Sequence, residues 1–391
     1  MLRLRALWIL CLAIASLAWV SPSAQAAPGL SFVDVGSSPS GVAASPDGQR
    51  IYVTNSASNS VSVISTATWS VTATISVGSG PTGIAVNSNG TRAVVANTTA
   101  GTYSVIDTGT LAVINTITSN AGCAHPTAVA YHPSAASAFA ACGSTLSITY
   151  INVARGTAVR HSLGSHDVND VTLSASANEL IGVGGYNAVF VNSGWSPGVN
   201  PDPLAVATNH DASYTYTPHA NGTMSRLKFA GSTVANFPIG QALRDVAITS
   251  DDRTVYVTDE GAGTVISVDP TTMRPITSYP AGTSPSSIAL DPRGWYAYAV
   301  NASTNRLAVI SLLPPASGSN VPTAPLQQFA RTETQSCEAA PADLVDFPAL
   351  GLAVRDDAWG ASWAQWPNGG TGGFVCTRQP YFTTANTWAV R

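Results

Sequence analysis

Short runs rich in valine, isoleucine, threonine and tyrosine recur along the chain, separated by Asp-Gly, Asn-Gly and Ser-Asn steps. This pattern predicts strands joined by tight turns. In the first clear copy the strands are Gly41 to Ala44, Arg50 to Thr54, Ser60 to Ser65 and Val71 to Val77, with Asp47-Gly48 turning the chain between the first two. Runs such as Ile51-Tyr52-Val53 are apolar without alternation, which predicts strands covered on both faces. The unit repeats. Taking the first residue of each Pro-x-x-apolar-Ala-apolar stretch as origin, copies begin at Pro39, Pro81, Pro126, Val168, Pro203, Leu243 and Pro285, at steps of 42, 45, 42, 35, 40 and 42 residues. Four strands per period of about 40 residues define a β-propeller blade, so the expected fold is an all-β, seven-bladed propeller. Leu30 to Pro39 matches Thr72 to Pro81, whereas the last copy runs through Leu307 to Leu312 and breaks at Pro314-Pro315 before a fourth strand. The N-terminal strand is therefore expected to complete the seventh blade and hide an open edge.

Tyr52-Val-Thr-Asn55, Tyr256-Val-Thr-Asp259 and Tyr298-Ala-Val-Asn301, each followed by a small polar turn and another apolar strand, resemble the YVTN family of β-propeller repeat proteins. The resemblance covers about residues 30 to 313, strong in blades one, two, six and seven and degraded in three to five. It implies the fold more than a chemistry, because such proteins are similar to surface-layer, secreted and lactonase-like propellers and to the propeller of nitrous oxide reductase. The copper chemistry of the last does not carry over: three candidate rim histidines are too few, and no second copper-binding domain is visible.

The ends set the expected address. Arg3 and Arg5 precede an apolar run from Ala6 to Val20, and Ala24-Gln25-Ala26 has the small-x-small pattern of a cleavage site. Residues 1–26 thus read as an export signal too short to span a bilayer, which needs about 20 residues. No later stretch predicts a transmembrane span, so the mature chain is expected to be secreted or held at the cell envelope. Removing the signal removes Cys11 and leaves Cys123, Cys142, Cys337 and Cys376, an even number in an oxidising compartment. Two disulfides are expected; three connectivities are open, and the spacing favours the two local pairs.

Charge narrows the partners. Only 10% of residues are charged, the net charge is −4, and Lys228 is the single lysine, so no basic stripe exists for nucleic acid. No HExxH, CxxC or glycine-rich phosphate loop is present, and no cofactor is expected.

Sixteen residues after each origin lie Asn55, Asn97, Cys142, Gly184, His219, Asp259 and Asn301, expected to ring one face of the propeller. Asn55, Asn97, His219 and Asn301 are the candidate ligand contacts there. An alternative metal site for zinc or copper would use His125, His166 and His219 on three consecutive blades, with Asp167, Asp170 and Asp245 nearby. An alternative hydrolytic site would use Asp170, Arg244, Asp245, Asp259 and Glu260 to polarise a lactone or hold a water. Against it, Asp259 stands at the repeat's asparagine position and Asp245 at the small position held by Gly41 and Gly83, where each serves equally well as a loop cap.

Residues 27–313 therefore read as the propeller, 314–335 as a proline-rich linker and 336–391 as a small β module closed by Cys337 and Cys376. Trp359, Trp363, Trp366 and Trp388 in that module offer platforms for sugar rings or a protein, or form its core. The functional expectation is a secreted or cell-surface binding protein, non-enzymatic, with a protein or envelope glycan as partner; the alternative is a lactonase-like or metal-assisted hydrolase.

Overall fold

A computed structural model describes residues 29–312 apart from 120–122, 133–136, 144–146, 163–167, 175–179, 186–187, 192–193, 197–201 and 229–233, and seven strands between 329 and 390. The expected export signal and most of the linker lie outside the described residues. The chain divides into two compact units, Met1–Ser311 and Leu312–Arg391. Among the described residues there is no α-helix, and none that could cross a membrane.

The first unit is a β-propeller. Its sheets follow one another in chain order, each four-stranded and antiparallel. The first blade is Pro39–Ala44, Arg50–Asn55, Ser60–Ser65 and Ser70–Ser76. Inner strands of the following sheets are Pro81–Val86, Pro126–Tyr131, Asp170–Leu173, Ala207–Thr208, Leu243–Ile248 and Pro285–Leu290. Each inner strand packs on that of the next sheet, and the last packs on the first, closing the ring. Six sheets are full blades; in the fifth the inner strand shrinks to Ala207–Thr208. Seven blades were expected; the fifth departs from the pattern, its first two strands pairing only at Ala207 opposite Tyr216 and Thr208 opposite Thr215.

Closure follows the expected route. Leu30–Asp34 pairs antiparallel with Arg306–Ser311, from Leu30 opposite Ile310 to Asp34 opposite Arg306, and becomes the outer strand of the seventh blade. The unbroken apolar runs are explained by packing in two directions. Ile51 and Val53 join Tyr298, Val300 and Leu307 of the seventh blade, whereas Tyr52, between them, joins Ala93 and Val95 of the second. Successive strand residues point to opposite faces, so a strand packed between two blades must be apolar at every position.

Cys123 and Cys142 form a disulfide, with Cα atoms 5.3 Å apart. The expected Cys337–Cys376 pair lies outside the described side chains. In the second unit Ala361–Trp363 pairs with Phe374–Cys376 and with Phe329–Ala330. A second sheet there has the order Val345–Phe347, Leu352–Val354, Trp388–Val390, Pro380–Phe382.

Candidate functional site in the central channel

The residues sixteen positions after each origin sit at the ends of the second strands and are almost fully enclosed: Asn55, Asn97, His219 and Asn301 are 0% exposed and Asp259 is 1% exposed. Most of their polar atoms bond within the protein, whereas Asn55 Oδ1 and Asn97 Oδ1 are buried without a hydrogen-bond partner among the described residues. Asn55 Nδ2 donates to Ser60 Oγ and Ser62 Oγ at 3.2 and 3.0 Å, and Asn97 Nδ2 donates to Thr102 Oγ1 and Ser104 Oγ at 3.1 and 2.9 Å. Asn301 Nδ2 donates to Ala281 O at 2.8 Å. Asp259 accepts the backbone N–H groups of Gln241, Ala242 and Ala262 at 2.8, 2.9 and 3.2 Å. His219 Nε2 lies 2.6 Å from Ser225 Oγ, and its Nδ1 3.2 Å from Asp202 O.

A second column of the repeat explains why these side chains are covered. Gly36, Gly78, Gly240 and Gly282 each stand three residues before an origin, and each lies directly on the asparagine or aspartate of its own blade. A Cβ on Gly36 would be 2.6 Å from Asn55 Cγ, and one on Gly78 2.6 Å from Asn97 Nδ2. In the third blade both columns hold cysteine, and the contact becomes the Cys123–Cys142 disulfide. The signal available in the sequence was this pairing of columns, glycine with asparagine or aspartate and cysteine with cysteine.

Inside the ring lies a cavity of about 280 Å³, lined by all seven inner segments. Residues following the origins tie the first blades together across it. Ser40 Oγ donates to Pro81 O at 2.9 Å, Thr82 Oγ1 to Thr127 O at 2.8 Å and Thr127 Oγ1 to Asn169 O at 3.0 Å. One position later the fourth and sixth blades replace a small residue by aspartate. Asp170 accepts the N–H of Val171 and, across the joint, the N–H of Val206, both at 2.8 Å. Asp245 accepts the N–H of Val246 at 2.8 Å and, across its joint, Ile288 N–H at 2.9 Å and Ser287 O–H at 3.0 Å. Burial, reinforced by the charge of Asp245, pushes the Asp170 carboxyl up to about 7. Burial also raises Asp245, against the three donors that bond its ionised form.

Of the residues considered for hydrolysis, the cavity brings Asp170, Asp245 and Arg244 together. Arg244 is ion-paired with Glu260, which also accepts Ser284 Oγ at 2.8 Å. The Ser284 hydroxyl and the guanidinium hold Glu260 below the usual carboxylate range. Asp259 is instead committed to loop amides. Of the three histidines, His125 is exposed with Nδ1 3.2 Å from Thr98 O, His219 is enclosed, and His166, like Asp167, lies outside the described residues. Among the described residues no group of three histidine, cysteine or acidic side chains could hold a metal ion. Trp363 falls in the strand Ala361–Trp363, while Trp359 and Trp366 lie outside the described residues.

The ring of antiparallel four-stranded sheets around this cavity places the chain in the β-propeller class. Among solved structures it is similar to Kuenenia stuttgartiensis hydrazine synthase, with 20% identity over 70% of this chain and 95% of that chain, at a TM-score of 0.63. It is also similar to the Cps50 (Swd1) β-propeller domain of Myceliophteria thermophila, with 11% identity over 73% of this chain and all of that one, again at 0.63. At these identities the likeness is one of fold. No protein-family model matches the chain, and no curated protein does.

Proposed function

We propose that the chain is a secreted or cell-surface β-propeller that binds a protein or envelope glycan and does no chemistry of its own, with the tryptophan-rich C-terminal unit serving attachment. The supporting observation is how the polar groups at the channel are used. Asp170, Asp245, Asp259 and Glu260 each accept two or more hydrogen bonds from protein donors. A general base needs a lone pair aimed at a substrate, whereas a scaffold needs its loops held still. The reading of residues 1–26 as an export signal supplies the address, and the YVTN-like repeats are consistent with a surface protein.

The hydrolase reading keeps one observation in its favour, a carboxyl raised to about 7 inside a cavity. One experiment separates the two. The purified mature chain is incubated with envelope fractions of its own source and, in parallel, with a panel of lactones. Saturable envelope binding without turnover supports the scaffold; lactone turnover abolished by Asp170→Asn overturns it.

A further inference from the structure

The two channel aspartates occupy the same place in the repeat, two residues after the origins Val168 and Leu243. The other five copies have Gly41, Gly83, Ala128, Ala205 and Ser287 there. Both carboxylates are bonded in the same way, one oxygen on the N–H of the following residue and the other on an N–H three residues past the next origin. Each thus bridges a blade joint, the fourth to the fifth and the sixth to the seventh. The fifth blade lies between them, and its inner strand is the one reduced to two residues.

Both carboxylates also line one cavity. The first, second, third, fifth and seventh inner segments bring only hydroxyl, glycine and aliphatic residues to its wall, and the fourth adds the amide of Asn169. Among the described residues Arg244 is the remaining charged group there, and its guanidinium is ion-paired with Glu260. Two like charges in a protein-walled space, with the nearby cation already paired, repel and are poorly solvated.

We propose that Asp170 and Asp245 form a pH-sensitive device in the ring: the channel does not hold both carboxylates charged without strain, so ionisation of the second carboxyl weakens the propeller around its short fifth blade. Acid therefore stabilises the ring by removing that repulsion, the reverse of the usual response of carboxylates. The sign follows from linkage. A carboxyl whose folded value lies above its unfolded one is protonated in the folded state over pH values at which the unfolded chain has lost its proton. Its contribution is complete below the unfolded value of about 4 and is lost as pH rises through the folded one. For Asp170 that window runs from 3.8 to about 7.

The test uses the full mature chain with ¹³C-carboxyl-labelled aspartate, following the Asp170 resonance from pH 3 to 9 alongside thermal melts. Asp170→Asn assigns the resonance. The expected result is a midpoint near neutrality, and a lower one in Asp245→Asn. The wild-type melting temperature should fall by roughly 5 °C between pH 5 and pH 8, and by less in Asp245→Asn. The Asp245→Asn baseline drops at every pH because an amide cannot accept from both blades, but only a charge effect changes the slope. A wild-type midpoint near 4 overturns the proposal even if neither variant folds, and so does a midpoint unmoved by Asp245→Asn.

Discussion

Replacing Cys123–Cys142 by the glycine and asparagine of the equivalent blades gives a quantitative test of the equivalence between the two kinds of contact. Breaking the disulfide by Cys123→Ala with Cys142→Ala releases a loop with a sequence separation of 19, which chain entropy values at about 3 kcal/mol. The pair Cys123→Gly with Cys142→Asn loses the same cross-link but should regain part of its contribution. Position 142 is followed at five and seven residues by Ser147 and Thr149, matching the Ser60 and Ser62 that receive Asn55 and the Thr102 and Ser104 that receive Asn97. Thr149 Oγ1 already lies 3.4 Å from Cys142 Sγ. Two recovered hydrogen bonds at about 1 kcal/mol each should return up to about 2 kcal/mol. Urea unfolding at fixed pH measures both variants, with m-values compared so that a change in the unfolded state is recognised. Equal stability of the alanine and glycine–asparagine pairs would refute the equivalence, because the introduced side chain would then have found neither hydroxyl.

Gly78→Ala should cost about 2 kcal/mol, since the added methyl would meet the fixed Asn97 amide at 2.6 Å; Gly185→Ala, with open space around it, is the control and should change stability little. Asp259→Ala strands three loop amides and should lower stability by about 3 kcal/mol in the same assay, whereas Arg244→Ala, at a half-exposed ion pair, should cost less than about 1 kcal/mol. The pH profile has a second limb. Thr110 N–H holds the Asp107 carboxyl, Ser213 the Asp211 carboxyl and Thr272 N–H the Asp269 carboxyl below the ordinary 3.8. Their stabilisation is present above the unfolded value and lost as pH falls through the folded one. With the opposite trend of Asp170, melts across pH should peak between about pH 4 and 6; a maximum at pH 8 would contradict this.

Much of the fold was legible because a blade writes the same short message many times. Turn pairs such as Asp47-Gly48, unbroken apolar triplets such as Ile51-Tyr52-Val53 and the unmatched strand at Leu30 gave strand order, two-sided burial and the closing strand. The fifth blade escaped because its origin, Pro203, keeps the repeat's opening residue while only Ala207 and Thr208 pair with the next strand, a shortening no local pattern records. The functional columns misled in another way. Asn55, Asn97 and Asn301 are polar at a regular interval, which reads as a displayed ring. Their enclosure depends on a glycine 19 residues earlier, and that relation appears only when the two columns are read as partners.

The chemistry of the blade joints changes around the ring. From the first blade to the fourth, neighbouring inner strands are linked by Ser40, Thr82 and Thr127 hydroxyls that donate to the next blade's carbonyls. Such bonds need those carbonyls to be presented by a regular strand. Where the spacing drops to 35 residues the fourth blade's outer strand is only Gly194–Ser196 and the fifth blade's inner strand only two residues, so fewer ladder bonds hold each sheet. There the buried Val206 N–H donates to Asp170, as Ile288 N–H in the regular seventh blade does to Asp245. A carboxylate at the small position supplies the acceptor without altering the backbone path, at the cost of placing charge inside the channel. The third blade, next to this weakened stretch, carries the covalent link. Carboxylate bridges thus occur both beside the short fifth blade, at Asp170, and between the regular sixth and seventh blades, at Asp245, and the raised pKa of Asp170 follows from its burial and from the charge of Asp245 within the channel.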